Sequence, residues 1–193
     1  SATATATATP GVELLSNTGF DELNAENKPV TAPWTLGATN VGDKVKCNKA
    51  GKPEVALSGT CAFRFKGSVG EASSVTQPVS SITTISTGDT LTLSFFANAE
   101  AAPVAKAKLR VKYSDTTPKG KVNIDLTITT GYTPFSQSYT VVGDAIASVK
   151  VKFSNSSTAG KFYIDDVSLL LVEGAAATAT PTSTAAPRLN TQG

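Results

Sequence analysis

The sequence contains no histidine and no methionine, one tryptophan and two cysteines among 193 residues. Without histidine there is no Ser-His-Asp or Cys-His arrangement, and most zinc and iron sites lose their commonest ligand. Two cysteines are too few for a structural zinc centre. No window approaches 18 apolar residues; the longest apolar run, VSLLLV at Val167 to Val172, has the length of a buried strand, so no membrane span is expected. Charge is sparse and nearly balanced, 17 basic against 15 acidic residues, with the lysines scattered and no arginine cluster or aromatic-interleaved basic stripe. Nucleic acid is therefore not an expected partner. The stretch GSVGEAS from Gly67 lacks the lysine of a phosphate-cradling loop. The acids fall mostly in turns or at outward positions, with Glu54, Glu71 and Glu100 beside Pro, Gly or Ala, and no carboxylate pair suited to glycoside hydrolysis stands out. A non-catalytic protein is expected.

What is present is period-two alternation. In KAKLRVKY, Lys106, Lys108, Arg110 and Lys112 take one face while Ala107, Leu109, Val111 and Tyr113 take the other. Val122, Ile124, Leu126 and Ile128 repeat the pattern, as do Val149, Val151 and Phe153 between Lys150 and Lys152. Turn clusters such as TPKG, TTGYTP and STGD punctuate at strand-length intervals, and no stretch sustains helical spacing. The expectation is an all-β, two-sheet antiparallel sandwich over residues 11–172, with a small barrel as the alternative, flanked by Ala/Thr-rich extensions at 1–10 and 173–193.

Cys47 and Cys61 lie on segments that read as neighbouring strands; a disulfide is the main reading, worth about 3 kcal/mol in the chain-entropy account, and two buried free thiols are the alternative. A chain that starts at Ser1 and lacks methionine reads as a mature, exported form, so a secreted, extracellular or cell-surface location is expected, although a trimmed chain would look the same.

The order of motifs adds a family. ELLSNTGFD at Glu13 to Asp21, Trp34 in APWTL, GTCAFRFKGS from Gly59, SSVTQPVSSI followed by STGDTLTLSFFANAE, FSQSYTV and a closing GKFYIDDVSLLL resemble, in order, the family 4 and 9 type carbohydrate-binding modules over Val12 to Val172. The resemblance implies a jelly-roll fold, a structural Ca²⁺ near the chain ends, and sugar bound on a concave face or at loop tips. Carried onto this sequence, it makes Asp21, Asp165 and Asp166 calcium ligands by their hard oxygens, with Asp21 standing where the family usually has Glu. The alternative has one Asp accepting backbone amides at a strand end and another solvated. Sugar platforms are normally aromatic. Trp34, Phe63, Phe65, Phe95, Phe96, Phe153 and Phe162 read as core, which leaves Tyr113, Tyr132 and Tyr139 as candidate sugar contacts, against ordinary packing.

The ends allow two readings. As linkers they offer O-glycosylation at Thr3, Thr5, Thr7, Thr9, Thr178, Thr180, Thr182, Ser183 and Thr184, and Asn155 in NSS is an N-glycosylation candidate. As strands, the Ala/Thr alternation suits pairing with a neighbour's open sheet edge, a heterologous contact that propagates into filaments. The first expectation is thus a structural subunit of an extracellular, O-glycosylated filament, a head-to-tail homopolymer. The alternative is a non-catalytic carbohydrate-binding module of a larger secreted protein.

Overall fold

The computed structural model describes residues 11–38, 42–70, 72–128 and 131–174. All nine Thr and Ser positions of the extensions named above lie outside the described residues. Among the described residues there are eleven strands and no helix: β1 (Val12–Glu13), β2 (Thr35–Gly37), β3 (Lys44–Cys47), β4 (Cys61–Lys66), β5 (Ser73–Pro78), β6 (Thr90–Ala99), β7 (Ala105–Tyr113), β8 (Gly120–Asp125), β9 (Thr133–Thr140), β10 (Ile146–Asn155) and β11 (Lys161–Val172).

The strands form two antiparallel sheets. One runs β3-β4-β11-β6-β9, with β1 also paired to β11; the other runs β2-β5-β10-β7-β8. The expected sandwich is observed, and it follows from the alternation: β7 reads buried, exposed, buried along its length, so its apolar set has to lie against a second layer. Leu109, Val111, Val149, Val151 and Phe153 from one sheet meet Phe63, Phe65, Leu93, Phe95, Ile164 and Leu169 from the other. Trp34 is 3% exposed and packs against Phe20 and Phe153 at ring-centroid distances of 5.5 and 6.1 Å, as expected of a core residue. Phe96 departs from the expectation. Successive strand residues face opposite ways, so with Phe95 buried Phe96 is half-buried on the outer face.

The opening motif is a structural clamp. Asn17, in the left-handed region at φ 48°, donates from Nδ2 to the carbonyls of Val30 and Ala32 at 3.0 and 2.9 Å, and its Oδ1 accepts from Glu22 N. Its own carbonyl accepts the Trp34 indole N–H at 3.1 Å. Phe20 then drops fully into the core. Asn17→Ala removes three side-chain hydrogen bonds and adds backbone strain at positive φ, a loss of about 2 to 3 kcal/mol in urea unfolding; Asn17→Gly, which relieves the strain, should recover part of it.

Cys47 and Cys61 are direct register partners on β3 and β4, 3.9 Å apart at Cα, and form the expected disulfide. In β11 the register on β6 shifts between Asp165 and Ser168, and Asp166 sits at φ 48°. This bulge switches the buried positions from Phe162 and Ile164 to Val167, Leu169 and Leu171, and it buries Asp165 at the switch.

Candidate functional site

The outer face of the β2-β5-β10-β7-β8 sheet is built by the polar half of the alternation. β10 lies between β5 and β7, with Lys150 opposite Arg110 and Lys152 opposite Lys108; on β8, Lys121 lies opposite Arg110 and Asn123 opposite Lys108. Thr76 of β5 lies opposite Lys152. Thr76, Lys108, Arg110, Lys150 and Lys152 line a depression of about 160 Å³. Sequence reasoning placed the β7 cations on one face but treated the lysines as scattered. Strand order gathers those of β7, β8 and β10 into one field. The signal was present in the shared alternation of three segments; their adjacency was not.

The tyrosines lie elsewhere. Tyr113 belongs to the core: it is 8% exposed, its hydroxyl lies 3.0 Å from that of Tyr139, and it accepts from Val142 N. Its β7 position explains this, because it shares the parity of Leu109 and Val111. Tyr139 is half-buried against the core on β9, where burial and then the Tyr113 hydrogen bond push its hydroxyl up to about 12. Its ring lies against Gly120, where a Cβ would overlap it. Tyr132 donates to the Val55 carbonyl, and burial, reinforced by Asp165, raises its pKa. The three rings are engaged in packing or hydrogen bonds and do not converge on one surface. Asn155 is 1% exposed, with Oδ1 accepting from Ser157 N, so the folded domain does not present it to a glycan, contrary to the motif reading.

Asp21, Asp165 and Asp166 do come to one end of the sandwich, where Asp21 Oδ1, both Asp165 oxygens and Asp166 Oδ1 accept hydrogen bonds. Asp21 Oδ1 accepts from Thr60 N, Cys61 N and Thr60 Oγ1 at 2.7, 2.8 and 3.1 Å. Gly59, at φ +59°, makes room for this, since a Cβ there would overlap the Asp21 carboxylate. Asp165 Oδ2 accepts from Leu57 N at 2.8 Å and Ser58 N at 3.4 Å, its Oδ1 accepts from Asp166 N, and Asp166 Oδ1 accepts from Ser58 Oγ. Among the described residues no group of three or more His, Cys, Asp or Glu side chains is arranged to hold a metal ion. The three carboxylates therefore do not fit as a calcium cage; Asp21 fastens the opening loop to the start of β4, and Asp165 and Asp166 fasten the segment before β4 to β11.

Burial pushes Asp165 up to about 6, the amides of Leu57, Asp166 and Ser58 pulling the other way and the Asp166 charge adding to the rise. The Asp165 charge in turn adds to the rise at the Tyr132 hydroxyl. An unfolded aspartate titrates near 3.9, so the native state binds the extra proton between the two values. In calcium-free buffer this group's contribution is full below about pH 4 and is lost as pH rises through about 6. The check is the urea midpoint over that window for wild type and Asp165→Asn: the variant should lose that downward component, and parallel profiles would contradict it.

No protein-family model and no curated protein sequence matches the chain. Solved structures do. The chain is similar to the enzymatically active domain of tailspike protein 4 of bacteriophage CBA120, with TM-score 0.61 and 18% identity over 83% of this chain and 21% of that one, so it spans about a fifth of that chain's length. It is similar to the CBM22-1 xylan-binding domain of Xyn10C from Paenibacillus barcinonensis, with TM-score 0.56 and 19% identity over 88% of this chain and 100% of that one. It is also similar to TmCBM61 in complex with β-1,4-galactotriose, with TM-score 0.51 and 22% identity over 82% and 97%. These likenesses establish the jelly-roll fold.

Proposed function

We propose that the domain is a non-catalytic carbohydrate-binding module acting outside the cell, as part of a larger secreted protein. The observation that carries the reading is the depression on the outer face of the β2-β5-β10-β7-β8 sheet, where Thr76 and the long polar side chains of β7 and β10 stand around a shallow basin. The full-length likeness to a xylan-binding domain and to a module described with a bound galactotriose supports it. The Cys47–Cys61 bridge is in keeping with an oxidising compartment. Affinity electrophoresis against a broad polysaccharide panel tests it: retardation by at least one polymer, lost in Arg110→Ala, is expected, and no retardation by any polymer ends the reading.

The filament reading has no supporting contact among the described residues, and the segments it relies on lie outside them. It stays a separate proposal, tested by electron microscopy of the full chain; a monodisperse monomer with no filaments removes it. Calcium is tested separately. The hydrogen-bonded carboxylates lead us to expect the same melting temperature with chelator and with Ca²⁺; a rise on adding Ca²⁺ would restore the ion.

A further inference from the structure

We propose that the glycan is a polyanion, a polysaccharide bearing a carboxylate or sulfate on its repeating sugars, held on the outer face of β10, β7 and β8; this rests on the carbohydrate-binding reading. Lys106, Lys108, Arg110 and Lys112 rise from β7, Lys150 and Lys152 from β10, and Lys121 adds a seventh cation from β8. Asp125 is the one acidic residue at the strand positions of this face, and it is paired with Lys106 at 3.1 Å. The chain as a whole is only +2, so most of its acids lie off this face and the positive charge is concentrated here.

The arrangement runs against ordinary sheet design. Lys150, Arg110 and Lys121 are aligned across three adjacent strands, and Lys152 faces Lys108. Like charges directly opposite each other on a sheet are destabilising. Among the described residues Lys108, Arg110, Lys150 and Lys152 make no ion pair. A bound polyanion relieves that repulsion. Cations spaced about 5 Å across strands and about 7 Å along them form a grid on the scale of single sugar units, and the Arg110 guanidinium can take a carboxylate or sulfate in bidentate fashion.

The same face carries no aromatic side chain at any strand position. Neutral sugars are gripped by packing on aromatic rings, and single-stranded nucleic acid by stacking of its bases, so this surface is poorly made for either. Charge and hydrogen-bond donors are what it offers. A second group of cations, including Lys44 and Lys46 of β3, lies on the other sheet, where Arg64 spends its guanidinium on the Gly42 carbonyl.

The experiment measures binding of the full chain to polygalacturonate, chondroitin sulfate, unsubstituted xylan, β-1,4-galactan and single-stranded DNA at two salt concentrations. Binding to a charged polysaccharide that weakens as salt rises is expected, with polygalacturonate against chondroitin sulfate separating carboxylate from sulfate recognition. Lys108→Gln/Arg110→Gln/Lys152→Gln should bind about 100-fold or more weakly. Its melting temperature should be unchanged or higher, because repulsion is relieved and the core is untouched. Lys44→Gln/Lys46→Gln should bind as wild type. Salt-insensitive binding to xylan or galactan that survives the triple substitution overturns the polyanion and leaves the carbohydrate reading standing. Loss in the β3 variant with retention in the triple variant overturns the location. Tighter binding to DNA than to any polysaccharide overturns the glycan as occupant, and no binding to any polysaccharide overturns both readings.

Discussion

Phe153→Ala is expected to lower the stability of the domain by about 3 to 5 kcal/mol, the usual range for deleting a buried phenylalanine ring. Phe153 is fully buried in the middle of the sandwich, edge-on to Phe95 at 4.9 Å and 6.1 Å from Trp34. It therefore ties both sheets and the loop before β2 together, and its neighbours are held by their own strands, so the cavity cannot collapse easily. Its backbone pairs with Ala107 on one side and Val75 on the other, and the residue before it is Lys152 of the cationic face. Urea unfolding is the measurement: the midpoint should fall with the slope unchanged, and Phe153→Leu should recover a large part of the loss. A fall below about 1 kcal/mol would mean that the two sheets do not depend on this contact.

Removing the Cys47–Cys61 bridge, by Cys47→Ser/Cys61→Ser or by reduction, is expected to cost about 3 kcal/mol, equivalent to a melting temperature lower by roughly 6 to 12 °C for a domain of this size. The bridge closes a segment spanning 14 positions that carries most of the contacts around Asp165. Within it Asn48 Oδ1 accepts from Val55 N and Ala56 N, the Val55 carbonyl accepts from Tyr132, and Leu57 N and Ser58 N reach Asp165. Opening the bridge should loosen this end first. The cationic face is built from β7, β8 and β10, which lie in the other sheet and share no residue with that segment. Below its melting temperature the bridge-free variant should thus keep polyanion affinity within about twofold, while hydrogen exchange rises at the amides of Val55 to Ser58. A variant that loses binding in step with the bridge would show that the two ends are coupled.

Much of the fold was legible in the sequence because side-chain parity along a strand is local. KAKLRVKY places Leu109 inside and Arg110 outside whatever its neighbours are. The cysteine pairing was legible for a related reason, two residues on adjacent short strands. The opening and closing motifs were legible as landmarks, although their roles changed on folding: Asn17 clamps a loop, Asp21 anchors the start of β4, and Asp165 is buried by the bulge. Phe96 and Tyr113 lay within reach of the same parity, which sets Phe96 opposite to Phe95 and Tyr113 with Leu109 and Val111; Asn155 did not, because its burial comes from pairing beside Ser73 of β5.

The sequence by itself therefore determined an all-β chain, the inward and outward halves of β7, β8 and β10, and the pair of cysteines available to bridge. Only the tertiary structure decided where the outward halves meet. Lys108 and Arg110 are some forty positions from Lys150 and Lys152, yet antiparallel pairing of β7 with β10 sets them opposite one another. Strand order is chosen by packing of the buried faces, through hydrogen bonds that every residue's backbone can make alike, so it leaves no mark on the exposed residues it brings together. In this chain that choice turned scattered lysines into a charged surface.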